Sequence, residues 1–492
     1  MFESAELGHK IKKTDYAHQV PPVREALLQL QYDLLKRARY PVVILVAGMD
    51  GAGKSETVNL LSEWMDPRFI RVHGIREPSA DEKERPEMQR FWTRLPPKGR
   101  IGVFLGSWYS GPIAERMKRV LSKAELDQRL AEIVRFEKML TDEGALVVKF
   151  WLHLSKKKQK KRLQDLEDNP LTRWRVTQRD WDFYNQYARF CRTAEHVLRE
   201  TSTAEAPWLI VEGWDTHYRG LTVGKYLLEA LRRYQDESRT VRRVNLAPPL
   251  EPSIDNVHIL KRLDLGLKIS KKDYPEELEK QQGRLNLLTR KPRYRDINVV
   301  AVFEGNDAAG KGGAIRRITG ALDARQYEII PIAAPTEEER AQPYLWRFWR
   351  HIPGHGRLVI FDRSWYGRVL VERVEGFCSE YDWLRAYSEI NDFEEQLARN
   401  GTVLVKFWLS IGKEEQLRRF QERENTPFKQ YKITPEDWRN REKWEDYERA
   451  VCDMVERTST ELAPWTLVEA NDKYYARIKI LRTLCESIEA AL

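Results

Sequence analysis

The chain has 492 residues, 41% of them apolar and 16 of them tryptophan, which excludes a disordered polymer and leaves room for two or three domains, each with a full core. A formal charge of +9 suits a polyanionic partner such as nucleic acid, polyphosphate, nucleotide or a membrane surface, without choosing among them. No apolar run is long enough to span a bilayer, the first residues hold no apolar leader, and Cys191, Cys378, Cys452 and Cys485 have no close spacing, so a cytoplasmic protein with reduced thiols is expected.

Taken in chain order, a charged helical arm at 10–16 comes first, then an apolar strand and Gly48-Met49-Asp50-Gly51-Ala52-Gly53-Lys54-Ser55. Strand, Gly-x4-Gly-Lys-Ser and helix make a P-loop pattern. Its glycines let backbone N–H groups turn inward, the helix N-terminus adds positive potential, and the lysine reaches terminal phosphates. A glycine turn that only caps a helix shares part of this text. Further on come Phe104-Leu105-Gly106-Ser107-Trp108-Tyr109-Ser110-Gly111, then Lys149-Phe150-Trp151, a basic run from Lys156 to Arg162, Trp181 and Pro207-Trp208. A joint rich in proline and charge is expected at 239–256.

The chain then repeats. With an offset of 257, Gly48 falls on Gly305, Lys54 on Lys311, Ser107-Trp108-Tyr109 on Ser364-Trp365-Tyr366, Lys149 on Lys406, Trp181 on Trp438 and Trp208 on Trp465. The arm at 268–274 repeats the first with an offset of 258. Two domains are predicted, at 1–238 and 257–492. In the second, buried strands are expected at 297–304, 327–333, 357–362, 402–409 and 465–470, with helices at 311–322, 381–399 and 473–490. Continuous β-branched strands between helices predict an α/β fold, a parallel sheet covered on both faces, present twice.

The copies differ where chemistry would sit. The second loop has Gly312 after Lys311, where an ordinary P-loop places a metal-binding hydroxyl. Yet its third strand ends in Asp362, a position suited to a Mg²⁺ ligand, and is followed by Arg363, Arg368 and Arg373, which can neutralise phosphate charge. The first copy has Leu105, Gly106 and Gly111 against Asp362, Arg363 and Arg368. The N-terminal copy is therefore expected to have lost transfer chemistry and kept its fold. Asp307 inside the loop is a second candidate metal ligand, or a turn-stabilising aspartate; Asp362 could instead cap a helix. From 412 to 444 the sequence is densely charged. Arg419 and Arg423 lie one helical turn apart, and Lys429 and Lys432 flank a turn near Pro427. A helical lid over a polyanion and an exposed salt-bridged helix both fit this pattern. His351 and His355 have no partner set for a metal.

Together, Gly305-x-Asp307-x-x-Gly310-Lys311-Gly312, Phe361-Asp362-Arg363-Ser364-Trp365-Tyr366-Gly367-Arg368, Val371-Glu372-Arg373-Val374 and Pro427-x-Lys429-x-Tyr431-Lys432 closely resemble the family-2 polyphosphate kinases. The resemblance is strong over 260–491 and weaker over 10–231. It implies two tandem P-loop kinase-like domains of thymidylate-kinase type with helical lids, and the two-copy layout resembles the subgroup that phosphorylates AMP to ADP with polyphosphate. By the same resemblance Asp307, Lys311, Asp362, Arg363, Arg368 and Arg373 are catalytic, and Asp307 and Asp362 hold Mg²⁺. The backbone of Gly305, Asn306, Ala308, Ala309, Gly310 and Gly312, with Arg419, Arg423, Lys429 and Lys432, is expected to bind phosphate. A homo-oligomer is expected, with no nucleic-acid or membrane partner. An ATP-dependent nucleotide kinase and a non-enzymatic polyanion binder are the alternatives.

Overall fold

The computed structural model describes residues 1–240 and 259–492, so all but the first two positions of the joint expected at 239–256 lie outside the described residues. Two compact units form. One takes Met1–Glu77, the described part of Arg90–Val244, and Thr336–Trp346; the other takes Pro78–Gln89, the described part of Asn245–Pro335, and Arg347–Leu492.

Each unit carries one five-stranded sheet. The first contains β1 (Val42–Gly48), β2 (Ile70–Gly74), β3 (Ile101–Leu105), β4 (Leu146–His153) and β5 (Trp208–Glu212), in the order β2-β3-β1-β4-β5. The second contains β6 (Asn298–Gly305), β7 (Tyr327–Pro331), β8 (Leu358–Asp362), β9 (Thr402–Ser410) and β10 (Trp465–Glu469), in the matching order β7-β8-β6-β9-β10. All pairings are parallel. The five strands read from the second copy are all present, each within two residues of its expected ends.

Parallel strands must be covered on both faces, and β6 shows why its sequence is apolar without alternation. Val299, Ala301 and Phe303 pack with residues of the helices Tyr274–Thr289, Lys311–Thr319 and Lys473–Ala491. The intervening residues point the other way, and Val300 and Val302 are fully buried as well. On that second face lie the helices Glu380–Arg399 and Trp444–Thr458.

The most conspicuous repeated words of the sequence serve this second face. Lys406 Nζ donates to Glu394 Oε2 (2.7 Å), the Tyr366 hydroxyl (2.8 Å) and the Thr458 carbonyl (2.8 Å). Trp365 Nε1 and the Tyr366 hydroxyl both donate to Glu394 Oε1, at 2.9 and 2.6 Å. The first copy builds the same network from Lys149, Glu137, Tyr109, Trp108 and Thr201. All five side chains are buried in each copy. Burial pushes the Lys406 amine down, and the Glu394 charge opposes that shift. Ser-Trp-Tyr and Lys-Phe-Trp thus tie the segment after the third strand to the fourth strand and to a helix. Among the described residues no helix is long and apolar enough to cross a membrane, and the four cysteines are free thiols.

Candidate active site

Register sets the site. β8 pairs with β6 so that Asp362 stands opposite Phe303, two residues before the loop begins. The acid therefore lies at the carboxyl edge of the sheet, beside the P-loop, where α/β sheets bind ligands. The loop leaves β6 at Gly305, whose φ is +149°; a Cβ there would stand 2.5 Å from the Leu409 carbonyl oxygen, so only glycine lets the loop cross β9 so closely. The Asn306 side chain accepts from the Ile411 N–H (3.1 Å) and fastens the loop to the end of β9. Ala309 N–H donates to the Asn306 carbonyl (3.0 Å), and Gly310 caps the helix Lys311–Thr319 with φ +111°. A Cβ on Gly312 would meet open space, so the first helical turn stays uncrowded there.

Lys311 Nζ folds back onto the loop, donating to the Gly305 carbonyl at 2.7 Å. Asp307 turns away from its own backbone. One carboxylate oxygen lies 3.5 Å from Arg363, and the other accepts from Asn440 Nδ2 at 2.9 Å. It is therefore not a turn-stabilising aspartate. Nor is Asp362 a helix cap: Ser364 caps the turn Trp365–Arg368, accepting from the Tyr366 N–H. The Asp362 carboxylate has no hydrogen-bond or ion-pair partner among the described residues, while its backbone carbonyl accepts from Ile332. A carboxylate without a protein partner at a strand end beside a phosphate loop has the chemistry of a hard-cation ligand.

The other expected residues fall in different places. Arg368 pairs with Glu372 at 3.1 Å. Arg373 pairs with Asp453 at 2.7 Å, donates to the Tyr387 hydroxyl and lies 4.2 Å over the Trp383 ring. Arg419, on the helix Lys413–Glu424, donates to the carbonyls of Ala308, Ala309, Ala470 and Asn471 and pairs with Glu415. Its guanidinium clamps the back of the loop to the end of β10. Arg423 donates to the Lys432 carbonyl, and Lys429 pairs with Glu422. Lys432 is exposed on the turn Pro427–Lys432, next to Tyr431.

Two residues of the site were missed in the sequence. Glu304, just before the loop, is buried and accepts from the Ser364 hydroxyl at 2.8 Å. Burial pushes its carboxyl up, against the pull of Lys311 and Arg363. Asn440, on the helix Pro435–Glu442, holds Asp307 and accepts from the Tyr447 hydroxyl (3.1 Å). The first copy has Ala47 and Phe183 at these positions, so the comparison that found Asp362 held this signal too.

In the first copy the loop is closed on itself. Lys54 pairs with its own loop aspartate, Asp50, at 2.9 Å, as well as with the Gly48 carbonyl. The Arg219 guanidinium, 2% exposed, packs where a Cβ of Gly53 would stand, and donates to the carbonyls of Ala52 and Gly213 and to Glu56. Its counterpart in the second copy is Ala476.

The sequence matches the family model described as polyphosphate kinase 2 twice, over residues 10–239 and 268–492. It is similar to a polyphosphate:AMP phosphotransferase of Pseudomonas aeruginosa, at 59% identity across all of this chain and 99% of that protein. A protein of the same description from Acinetobacter johnsonii is 39% identical over 94% of this chain and 95% of its own length. A GDP-polyphosphate phosphotransferase of Mycobacterium tuberculosis is 41% identical over 46% of this chain and 76% of its own length. Among solved structures, a crystal structure of a polyphosphate kinase 2 from Pseudomonas aeruginosa superposes with a TM-score of 0.90 at 57% identity, covering 100% of this chain and 99% of that one. Matched in both halves, and aligned end to end with relatives of the same two-copy length, the chain belongs to the polyphosphate kinase 2 family.

Proposed function

We propose that this protein transfers the terminal phosphoryl group of inorganic polyphosphate to AMP, giving ADP, and that the second copy performs the chemistry. End-to-end similarity to proteins named for that reaction supports the substrates. The observation that carries the assignment to one copy is the Asp362 carboxylate beside a P-loop, without a hydrogen-bond or ion-pair partner among the described residues, with Leu105 in its place in the first copy.

In the proposed step an oxygen of the AMP phosphate attacks the terminal phosphorus of the polymer. A new P–O bond forms, the bridging P–O bond breaks, and its electron pair stays on the shortened polyphosphate. The attacking oxygen is already ionised at neutral pH, so no strong general base is required. The N–H groups of Asp307, Ala308, Gly310, Lys311 and Gly312 and the Lys311 amine hold phosphate oxygens, while those of Asn306 and Ala309 are spent on the Leu409 and Asn306 carbonyls. Arg363 neutralises charge as it moves between phosphates. Asp362 and Asp307 fit a divalent cation such as Mg²⁺: both are carboxylates at the loop, and phosphate and water would complete the oxygen shell. When bound, that ion supplies charge neutralisation and orientation of the phosphates. Asn440 and Glu304 position the set through Asp307 and Ser364.

The test uses purified protein with polyphosphate, AMP and Mg²⁺ and no ATP. ADP should form. Asp362→Ala should lower turnover about a hundredfold or more, while Lys54→Ala should leave it within about a factor of two. An active Asp362→Ala variant, or a folded but inactive Lys54→Ala variant, would overturn the assignment.

A further inference from the structure

The first copy lost charge at its third strand and carries it elsewhere. In the seven positions Lys156 to Arg162 it has six basic residues and no acid; the equivalent positions of the second copy, Lys413 to Arg419, have three basic residues and two acids. Both stretches form the same element, the helices Lys156–Asp168 and Lys413–Glu424. Two of the six face inward. Lys158 pairs with the buried Glu212, and Arg162 donates to the Trp214 carbonyl. Lys156, Lys157, Lys160 and Lys161 are exposed, and none has a carboxylate partner among the described residues. Arg173 and Arg175, on the short turn that packs against this helix, are exposed too.

This arrangement works against the helix that carries it. Lys156 and Lys160, and Lys157 and Lys161, are like charges one turn apart. The lysines sit at the positive end of the helix dipole, and Asp165, Glu167 and Asp168 sit at the negative end. The second copy has the favourable order, with Glu414 and Glu415 in the first turn and Arg423 in the last. A charge order that opposes the helix at both ends needs a compensating gain, and an anionic ligand supplies one.

We infer that this basic face of the first copy is a docking site for inorganic polyphosphate. It would hold the polymer away from the reacting end, so that the catalytic copy works on a tethered substrate. The inference rests on the assignment of chemistry to the second copy. Polyphosphate is a thin, flexible polyanion with no bases, so a run of cations is all that its recognition requires. A single-stranded nucleic acid would want successive stacking rings. Here one exposed ring, Trp174, is present, with the Arg175 guanidinium 5.2 Å over it; the half-buried rings of Tyr184 and Trp214 are covered by Lys156 and Lys161 at 5.6 and 5.8 Å and form no open row of stacking faces.

The experiment replaces Lys156, Lys157, Lys160 and Lys161 together by Gln in the full chain, with a second variant replacing the same four by Arg. Binding of long-chain polyphosphate, measured without nucleotide, should weaken about tenfold or more in the Gln variant, with a shallower salt dependence. The Arg variant should bind like the unaltered protein. The KM for long-chain polyphosphate should rise in step, while kcat and the KM for short chains stay unchanged. Asp362→Ala should bind long chains normally while its turnover falls about a hundredfold or more, which separates this inference from the catalytic assignment. Unchanged long-chain binding in the Gln variant would overturn the inference, as would an equal loss for short and long chains, or a loss confined to an oligonucleotide probe.

Discussion

Arg363 and Ala308 are held at φ +64° each, in the left-handed region that a side chain resists. The same two positions in the first copy are Gly106 and Gly51, at φ +77° and +78°. The backbone path is shared, and only the second copy keeps side chains on it. Such a cost is retained where a group is used. For Arg363 the use is contact with Asp307; for Ala308 it is a stiff loop. We expect Ala308→Gly to stabilise the fold by about 1 kcal/mol in urea unfolding, and Arg363→Gly to match that gain while lowering kcat about tenfold or more. A destabilised Ala308→Gly protein would contradict the strain argument. At this scale comparison with the twin exposed a residue only where the exchange carried its own chemical meaning. Asp362 against Leu105 announced itself because a leucine cannot ligate a cation. Asn440 did not, because a neutral amide in a run of charges carries no chemical flag, and its contact with Asp307 joins positions 133 residues apart.

The central strands β6, β8 and β9 of the second copy could be read because a strand covered on both faces is apolar along nearly its whole length, whereas the edge strands β7 and β10 are partly exposed. The start of the helix Lys311–Thr319 followed from the glycine turn before it, but the Ser364 cap did not, because the sequence offered Asp362 for that role. The role of the repeated Ser-Trp-Tyr and Lys-Phe-Trp words could not be read. A lysine in an apolar strand gives no hint of the glutamate that receives it, which lies 12 residues earlier on a helix. That pair makes a prediction about elements. Lys149→Met and Lys406→Met each leave a buried carboxylate uncompensated, and each should cost about 3–5 kcal/mol of stability. Their effects on turnover should differ. Tyr366, which Lys406 holds, lies three residues beyond Arg363, so Lys406→Met should also lower kcat of the folded fraction. Lys149→Met should leave kcat unchanged. Equal kcat losses in the two variants would show that the network's contribution is not confined to its own copy.

For the whole molecule, a repeat announces that two sheets exist, but it cannot say with which copy a repeated segment packs. The stretches at 79–89 and 336–346 are equivalent in the repeat, and each belongs to the compact unit that holds the other half's sheet. The proposed silence of the first copy does not rest on these exchanged stretches; it rests on several side chains at and around its own loop. Consider restoring its missing text with Leu105→Asp, Gly106→Arg and Gly111→Arg, while Asp362→Ala silences the second copy. We expect no ADP formation from polyphosphate and AMP. An arginine at 106 would have to adopt φ +77°, with its Cβ 2.9 Å from the Ile75 carbonyl, a strain of about 1–2 kcal/mol. The added arginine would act on Asp50 alone, without the amide that completes the hold on Asp307, so Asp50 keeps its 2.9 Å pairing with Lys54; Asp307 is drawn off its lysine by Arg363 and Asn440 together. Ala47 offers no carboxylate for Ser107, as Glu304 does for Ser364, and Phe183 has no amide to orient Asp50. Adding Ala47→Glu and Phe183→Asn is the least change that could bring turnover above background. Turnover from the three-residue variant alone would show that the acid and arginines after β3 are the whole difference between the copies.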